Sequence, residues 1–406
     1  MKVAFIACEY NPFHNGHLYH INKTKESGAD AVVCIMSGNF VQRGEIAITE
    51  KHIRAKTALL NGADIVIELP LKYAVSDASH FAEGFIRTAA ATGLDGFISF
   101  GSKDDLQTLL KMQELCFSDE AMQFVSDMQK QGYSYAAAKS IYMADNFGKN
   151  ESKILDDANN ILALEYINNA IRLMNNPQFF SVERKGAAHD SDSVSDNTAS
   201  AGFIRNEIYR LDEDDYAISG LYKCESLMPE ITFNTLLEAY SAGLFPADKS
   251  KAETALFSRI LTLNEDEFRA VNNVNQGLEN RITEKIRISS SLEEAYSMIK
   301  TKRFTHARIR QILLQAALGI KRDDIKAGPS YIRILGFNNT GRAILRKMKD
   351  TAKLPVVMNL SEIDNNDTLG KRDAQLDYIA GKIFNICCPC PREGNTEYNI
   401  SPVIIN

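Results

Sequence analysis

Two histidines and a glycine follow the first apolar run of the chain, in the order His14-x-Gly16-His17. Pro12 sets a turn, and the pattern predicts a helix that begins near Gly16 or His17. A helix N-terminus offers unpaired backbone N–H groups and a partial positive charge, to which two imidazoles three residues apart add donors. Gly16 lacks the Cβ that would hold a nucleotide at a distance. The segment therefore suits the binding of an anion such as a phosphate.

Such a site fits nucleotidyl transfer, in which a nucleophile attacks the α-phosphate of ATP and negative charge grows on the departing pyrophosphate. Donors that are fixed in advance stabilise this charge, and in this sense we expect His14 and His17 to be catalytic. Neither has to act as a base if the attacking group is already an anion. Two alternatives stay open: these histidines and His20 could be packing residues, or they could bind a metal. Offsets of three and six residues spread the side chains over about 120° of a helix face, and we expect no metal site.

The elements that would position these residues form a repeat of short apolar runs and helix-like stretches. The apolar runs are residues 3–8, 31–36, 65–69 and 96–100. They predict parallel strands that are buried on both faces, hence an α/β fold with a Rossmann-like sheet that binds ligands at the carboxyl ends of its strands. Small or polar residues follow the later strands, in the segments 36–45, 68–70 and 99–102. Each segment alone is typical of a turn, but together they favour a ligand site.

The rest of the chain is mostly helix-patterned. A helix over residues 159–174 and a late strand over residues 179–183 are expected to close the sheet domain, which we assign to residues 1–212. Residues 213–406 are predicted to form a mainly helical domain with candidate helices at 230–242, 251–263, 291–300 and 305–318. Strand-like runs at 354–359 and 400–405 give this domain a small strand-containing tail, which we expect to form a minor sheet.

Composition excludes several classes of protein. No window approaches the roughly 18 consecutive apolar residues that a membrane helix requires, so we expect a soluble cytoplasmic protein. The seven cysteines have no paired spacing, which argues against a disulfide framework.

The net charge is −6, yet residues 300–353 hold 14 Lys or Arg against three acids, a local charge of +11. A basic segment on an otherwise acidic protein would orient a phosphate backbone at one surface.

Longer strings make the pattern more specific. The strings EYNPFHNGH, MSGNFVQRGE, IELP, FGS and NNILALEY, in this order and spacing, resemble the tRNA(Met) cytidine acetate ligase family of HIGH-type nucleotidyltransferases. The strings KRFTHARIR and YIRILGFNNTGR extend the resemblance over nearly the whole chain. The resemblance implies that acetate attacks ATP to give acetyl-adenylate and pyrophosphate. The acetyl group would then pass to N4 of the wobble cytidine of elongator tRNA(Met), forming N4-acetylcytidine. Mg²⁺ is expected on the triphosphate, and no protein partner is expected.

The resemblance also implies which residues contact ATP: Ala7, Cys8, Glu9, Tyr10, Asn11, Pro12, Phe13, His14, Asn15, Gly16, His17, Leu18, Tyr19, His20, Gly101, Asn159, Arg184 and Lys185. Asn159 could instead be a helix N-cap. One position departs from the family pattern Ser-Ala-Thr-x-Ile-Arg, because Gly202 stands in place of the threonine. Arg205 of this segment is a weaker candidate for phosphate binding.

The RNA-binding candidates are basic residues of the C-terminal half. Arg303, His306 and Arg310 would share one helical face, with Arg333 and Arg342 near them in sequence. The alternative is an ordinary solvated helix face.

Two other functions remain open. One is an adenylyltransferase that makes a dinucleotide from a small phosphorylated substrate, although such an enzyme needs little beyond the sheet domain. The other is a non-catalytic RNA-binding protein with a vestigial nucleotide site, but His14, His17 and the loop glycines are intact.

Overall fold

The computed structural model describes residues 1–183, 199–210, 217–275, 277–301, 304–394 and 396–406. Its strands are β1 (Val3–Cys8), β2 (Ala31–Ser37), β3 (Phe40–Val41), β4 (Glu45–Ile46), β5 (Ile65–Leu69), β6 (Gly96–Ser102), β7 (Gln178–Glu183), β8 (Ile332–Phe337), β9 (Val356–Val357) and β10 (Val403–Ile404).

The helices of the first half are α1 (Asn15–Glu26), α2 (Lys51–Leu60), α3 (Leu71–Ala74), α4 (Ala78–Ala91), α5 (Leu106–Cys116), α6 (Asp119–Lys130), α7 (Tyr135–Phe147), α8 (Lys149–Ser152), α9 (Ala158–Leu173) and α10 (Ala201–Tyr209). Those of the second half are α11 (Ala217–Lys223), α12 (Glu230–Ser241), α13 (Lys249–Ile260), α14 (Glu265–Ala270), α15 (Leu278–Ile288), α16 (Leu292–Ile299), α17 (His306–Leu318), α18 (Arg322–Lys326), α19 (Asn339–Thr351), α20 (Thr368–Cys387) and α21 (Thr396–Asn399). The helices α9, α12, α13, α16 and α17 correspond to the helices predicted from the apolar periodicity.

The main sheet has the strand order β10-β8-β5-β2-β1-β6-β7, with β9 beside β8. The strands β5, β2, β1, β6 and β7 run parallel, whereas β8 is antiparallel to β5. The α/β fold with a Rossmann-like parallel sheet is therefore confirmed. Because the parallel strands point the same way, the loops after them meet at one carboxyl edge, and the first of these loops contains His14.

Successive side chains of the central strands enter two separate helix layers, as the twofold period of a strand requires. Phe5 and Val33 pack into a large core that includes residues of α4 and α9. Their neighbours Ile6 and Cys34 pack into a smaller core with Ile21 of α1 and residues of α2. Both faces of the sheet are thus covered, which explains why these strands appear in the sequence as continuous apolar runs.

The C-terminal strands correct one expectation about the tail. The runs near residues 356 and 403 were expected to form a minor sheet of their own, but β8 and β10 extend the main sheet past β5. The strand β8 is buried along its whole length, since it lies between β5 and β10. The division of the chain into domains at residue 212 stays a prediction. The sheet itself draws strands from both sides of that point.

Candidate active site

The first turn of α1 holds the two histidines in a reciprocal arrangement. His14 is the N-cap, and its Nδ1 accepts a hydrogen bond from the backbone N–H of Gly16 at 3.0 Å. The backbone N–H of His14 in turn donates to Nδ1 of His17 at 3.2 Å. The two rings stack with centroids 3.7 Å apart. The helix therefore begins one residue earlier than the sequence predicted, and each imidazole is held by the backbone.

These bonds fix the tautomer of both rings. An imidazole nitrogen that accepts a hydrogen bond carries no proton, so the hydrogen of each neutral ring lies on Nε2. His14 and His17 consequently each carry their ring hydrogen on Nε2, at the positive end of the α1 dipole. A donor set of this kind suits an anion, and an oxyanion of a phosphate fits it well.

Arg54 of α2 holds the loops in front of this helix. It is 1% exposed, and its Nη1 donates to Glu9 O at 2.5 Å and to Ser37 O at 3.1 Å. Its other nitrogens donate to the carbonyls of Gly38 and Thr49. Burial lowers the pKa of Arg54 to about 10, so the guanidinium stays charged at neutral pH. One side chain thus joins the carboxyl ends of β1 and β2. This role could not be predicted from the sequence, because an arginine on an amphipathic helix is usually exposed.

A cavity at the carboxyl edge of the sheet brings most of the predicted ATP-contacting residues together. Those on its wall are Ala7, Cys8, Glu9, Tyr10, Asn11, His14, Gly16, His17, Tyr19, His20, Gly101 and Asn159. Pro12, Phe13, Asn15 and Leu18 are absent from the wall; Phe13 is fully buried, and Asn15 donates to Ser226 O at 2.9 Å. Arg184 and Lys185 lie outside the described residues.

Several residues of the wall are not among those that the resemblance assigns to ATP. They are Ile6, Gln42, Arg43, Phe81, Phe100, Leu162, Tyr166, Val182, Glu183, Ala199, Ser200, Ala201 and Gly202. Gln42 and Arg43 belong to the segment after β2, which the strand-end rule for parallel sheets favours as part of a ligand site without singling out either residue. Phe81 of α4 had no such signal, because an aromatic residue in a helix is more often part of the core.

A second helix begins at the same cavity. Ser200 caps α10 by accepting a hydrogen bond from the N–H of Phe203 at 3.0 Å, and Arg205 donates to Asn11 O at 2.7 Å. A Cβ on Gly202 would lie 3.5 Å from Ser200 Oγ, which is an ordinary contact. Position 202 therefore has room for a Cβ. The α10 N-terminus and Arg205 add positive potential to the cavity.

The wall formed by β6 and α9 is fastened by a short polar network. Asp157 caps α9 through bonds from the N–H groups of Asn159 and Asn160, so Asn159 is not the N-cap. The side chain of Asn160 accepts from Lys103 N at 3.1 Å and thereby holds the loop after β6 against α9. Gly101 and Asn159 both line the cavity as a result.

His20 stands one turn beyond His17 and belongs to a hydrogen-bonded chain. Thr24 Oγ1 donates to His20 O at 2.8 Å, so it can only accept from Ser99 Oγ at 2.7 Å. Ser99 Oγ then accepts from Nε2 of His20 at 3.0 Å. This sequence of donors assigns a hydrogen to Nε2 of His20, and the ring joins α1 to β6.

Comparison with known proteins agrees with this geometry. A family model described as HIGH Nucleotidyl Transferase matches residues 1–398. The tRNA(Met) cytidine acetate ligase of Acetivibrio thermocellus is 34% identical, and the match covers 100% of both chains. The crystal structure of Thermotoga maritima TmcAL (apo, form I) superposes with a TM-score of 0.91 at 32% identity and covers 100% of both chains. This chain belongs to the tRNA(Met) cytidine acetate ligase family of HIGH nucleotidyltransferases.

A second structure of this family from Thermotoga maritima is bound with alpha-thio ATP. It matches with a TM-score of 0.89 at 32% identity and covers 100% of this chain and 99% of that chain. A member of the family with the same fold thus holds an ATP analogue.

The predicted RNA-binding residues separate into different environments. His306 and Arg310 are half-buried on α17, where Arg310 lies 3.5 Å from Glu45 and 3.6 Å from Glu293. Arg303 lies outside the described residues. Because Glu45 lies two residues after the cavity residue Arg43, the Arg310 end of α17 adjoins the cavity.

Arg333 does not fit the prediction. It lies on β8, is 1% exposed and donates to Glu397 Oε2 at 2.5 Å. Glu68 is 3.3 Å away, and Lys51 joins Glu68 and Glu397 from the other side. A guanidinium enclosed by carboxylates in the core cannot contact RNA. The prediction was wrong because a basic residue in a buried strand was taken for part of a basic surface.

Arg342 is exposed, but on the opposite edge of the sheet from the cavity. The helix α19 that carries it begins beside Asp64, since the N–H of Asn338 donates to Asp64 O at 3.1 Å. The helix ends beside Thr92, whose carbonyl accepts from Thr351 Oγ1 at 3.0 Å. Both contacts precede parallel strands, so α19 runs along their amino-terminal edge.

Among the described residues, no group of three or more His, Cys, Asp or Glu side chains is arranged to hold a metal ion. Within these residues, no helix is long and apolar enough to cross a lipid bilayer. The cysteines are free thiols, and Cys390 is exposed.

Proposed function

We propose that this protein is an ATP-dependent ligase that acetylates the wobble cytidine of elongator tRNA(Met). A carboxylate oxygen of acetate attacks the α-phosphate of ATP, and the bond to pyrophosphate breaks. The N4 amine of the cytidine then attacks the acetyl carbon, AMP leaves, and the amine loses a proton. The observation that carries the proposal is the pair of Nε2–H donors fixed at the α1 N-terminus inside the cavity. End-to-end similarity to ligases of this name supports it.

The first step needs donors more than it needs a base. Acetate is already an anion, so the protein has to bring it in line with the α-phosphate and stabilise the charge on pyrophosphate. His14 and His17 serve this purpose as donors, together with the N-terminus of α10 and Arg205 on the same cavity wall. We assign the nucleoside to the wall of Gly101 and Asn159, where an amide can donate to and accept from a base or ribose.

Mg²⁺ would accompany the triphosphate. This ion usually keeps several waters and binds to phosphates with one or two carboxylates, so it needs no preformed cluster of ligands. Glu9 and Glu183 are the carboxylates of the cavity wall among the described residues, and Glu9 already accepts a hydrogen bond from Gln42 N at 2.9 Å. The ion would neutralise charge on the phosphates as pyrophosphate departs.

The wobble cytidine has to react at the cavity, so the tRNA has to approach the carboxyl edge of the sheet. Arg310 and His306 lie on the helix that adjoins the cavity, and we assign the RNA contact to this side of the molecule. Arg342 is on the far edge and is not needed for this contact. The acceptor and ATP are both available in the cytoplasm, where we place the reaction.

Acetyl transfer to tRNA tests the proposal. Purified protein is incubated with ATP, labelled acetate and a transcript of elongator tRNA(Met), and the RNA is digested to nucleosides. We expect label in N4-acetylcytidine and none when the wobble cytidine of the transcript is replaced by uridine. Label that stays in a small adenylylated product would instead favour the dinucleotide-forming alternative.

A further inference from the structure

The hairpin β3–β4 reaches the cavity through its tip. The tip residues Gln42 and Arg43 line the wall on the β2 side of the central strand β1. Within the hairpin, Gly44 N donates to Val41 O at 3.0 Å. A two-residue pairing such as Phe40–Val41 with Glu45–Ile46 is too short to hold a tip in place by itself. The position of the tip must therefore be set by its neighbours.

One neighbour is the loop after β1, where Glu9 accepts from Gln42 N at 2.9 Å. The other is Gln311 of α17, whose Nε2 donates to Gln42 O at 2.8 Å and to Ser76 O at 3.1 Å. Both hydrogens of one amide nitrogen are used, one on each carbonyl. Ser76 precedes the N-cap of α4, the helix that brings Phe81 to the cavity. Gln311 thus joins two segments that form different parts of the wall.

The tip also lies directly against the backbone of α17. Gly44 has a φ of 81°, and a Cβ on it would lie 3.2 Å from the carbonyl carbon of Arg310 and 3.3 Å from Gln311 N. Such a distance is tighter than an ordinary contact, so the fit needs glycine. Next to it, Arg310 pairs with Glu45 at 3.5 Å. The helix that we assign to RNA contact is therefore the support of the hairpin.

We propose that Gln311 is a positioning residue for acetate activation. It holds Gln42 and Arg43 on the β2 side of the cavity, where we place acetate. The inference rests on the proposed function. With the nucleoside on the wall of β6 and α9, the β2 side is left for the acid, and Arg43 brings a guanidinium there that matches a carboxylate. Loss of the Gln311 bonds frees the tip, and a misplacement of about 1 Å can cost about 100-fold in rate.

The chain offers a matched control one turn further along α17. Gln315 Nε2 donates to Val75 O at 3.1 Å and to Ser76 Oγ at 3.0 Å, and neither of these bonds involves the hairpin. It is 2% exposed, so its loss should affect stability at least as much as the loss of Gln311. A general weakening of α17 would therefore appear in both variants, whereas a positioning effect would appear only in one.

The test compares Gln311→Met, Gln311→Glu and Gln315→Met in acetate-dependent ATP–pyrophosphate exchange. Neither replacement at position 311 can donate to the two carbonyls. For both we expect KM for acetate to rise about tenfold or more, with an unchanged ATP dissociation constant. For Gln315→Met we expect a lower Tm and the KM of the wild type.

Two results would overturn the inference: a wild-type KM for acetate in both variants at position 311, or an equal rise in Gln315→Met. Exchange that is absent from the wild-type protein, with and without tRNA, would instead overturn the proposed function. The two failures are therefore distinguishable in one experiment.

Discussion

His14 and His17 depend on each other through the backbone of one helical turn. Each Nδ1 accepts an N–H from this turn, so neither ring can turn over without breaking a hydrogen bond. The donors are therefore in place before ATP binds, and they do not have to reorient when charge develops.

Replacing His17 with alanine tests this role. The variant loses an Nε2–H donor and leaves the N–H of His14 without its partner. We expect His17→Ala to lower acetate activation about 100- to 1,000-fold, as the loss of one fixed donor does in other enzymes, while tRNA affinity changes little. Exchange kinetics and tRNA filter binding measure the two quantities. Weakened tRNA binding with normal activation would reverse the assignment.

At the residue scale, the sequence identified the anion-binding turn but not its supports. The histidines were recognisable because a glycine and a turn-forming proline accompany them after a buried strand. Arg54 and Arg333 were not recognisable as core residues, because their burial depends on carbonyl and carboxylate partners that are distant in sequence. Charge alone indicates a surface, and only the folded chain shows which charges are enclosed.

At the scale of the elements, two basic helices have different positions relative to the reaction. The helix α17 adjoins the hairpin at the cavity, whereas α19 runs along the opposite edge of the sheet with Arg342, Arg346, Lys347 and Lys349 exposed. The basic segment of the sequence therefore does not form a single basic surface in the fold. The sequence could not separate the helices, because β8 reverses the direction of the chain between them.

Charge removal on each helix distinguishes the two surfaces. We expect Arg310→Gln to weaken tRNA binding and to lower the slope of log K against log salt by about one, as the loss of one phosphate contact does. We expect Arg342→Gln, the matched control, to leave the slope unchanged. Binding titrations at several salt concentrations measure both. A larger loss in Arg342→Gln would move the RNA surface to α19.

At the scale of the whole molecule, the two halves of the chain share one sheet and one buried ionic cluster. Lys51 and Glu68 come from the first half, and Arg333 and Glu397 from the second. Burial by itself would raise the pKa of Glu397, but Lys51 and Arg333 lower it to about 2. Breaking one member of such a cluster costs about 3–5 kcal/mol, so the halves are expected to unfold together.

Asp377 gives this cluster a dependence on pH. Burial, with Glu68 close by, raises the pKa of the Asp377 carboxyl to about 7, and Tyr331 donates to this carboxyl at 2.6 Å. The folded protein then binds a proton that the unfolded chain releases near pH 4. The contribution of Asp377 to the free energy of unfolding is therefore complete below about pH 4 and is lost as the pH rises to about 7.

We expect Asp377→Asn to remove this loss, since the amide keeps an acceptor for Tyr331 and carries no charge. As the pH rises from 5 to 8, the free energy of unfolding of the wild-type protein should fall relative to that of the variant. The fall should be up to about 1.4 kcal/mol for each unit by which the pKa of Asp377 is raised. Urea denaturation of both proteins at the two pH values measures the difference. Parallel pH profiles would show that Asp377 ionises normally.

The general fold was readable from the sequence because buried parallel strands give continuous apolar runs with functional residues at their ends. The outer part of the sheet was not. The strand β8 lies among helices in the sequence, and pairing with β5 joins residues that are more than 260 positions apart, such as Ile65 and Phe337. No local pattern specifies such a partner.

The central claim is that the cavity forms an acyl-adenylate from acetate and ATP. ATP–pyrophosphate exchange tests it most directly, with purified protein, labelled pyrophosphate, and acetate present or omitted, each with and without tRNA. We predict exchange into ATP that requires acetate and is lost in His17→Ala. An exchange rate that does not depend on acetate, or no exchange under any of these conditions, would contradict the account.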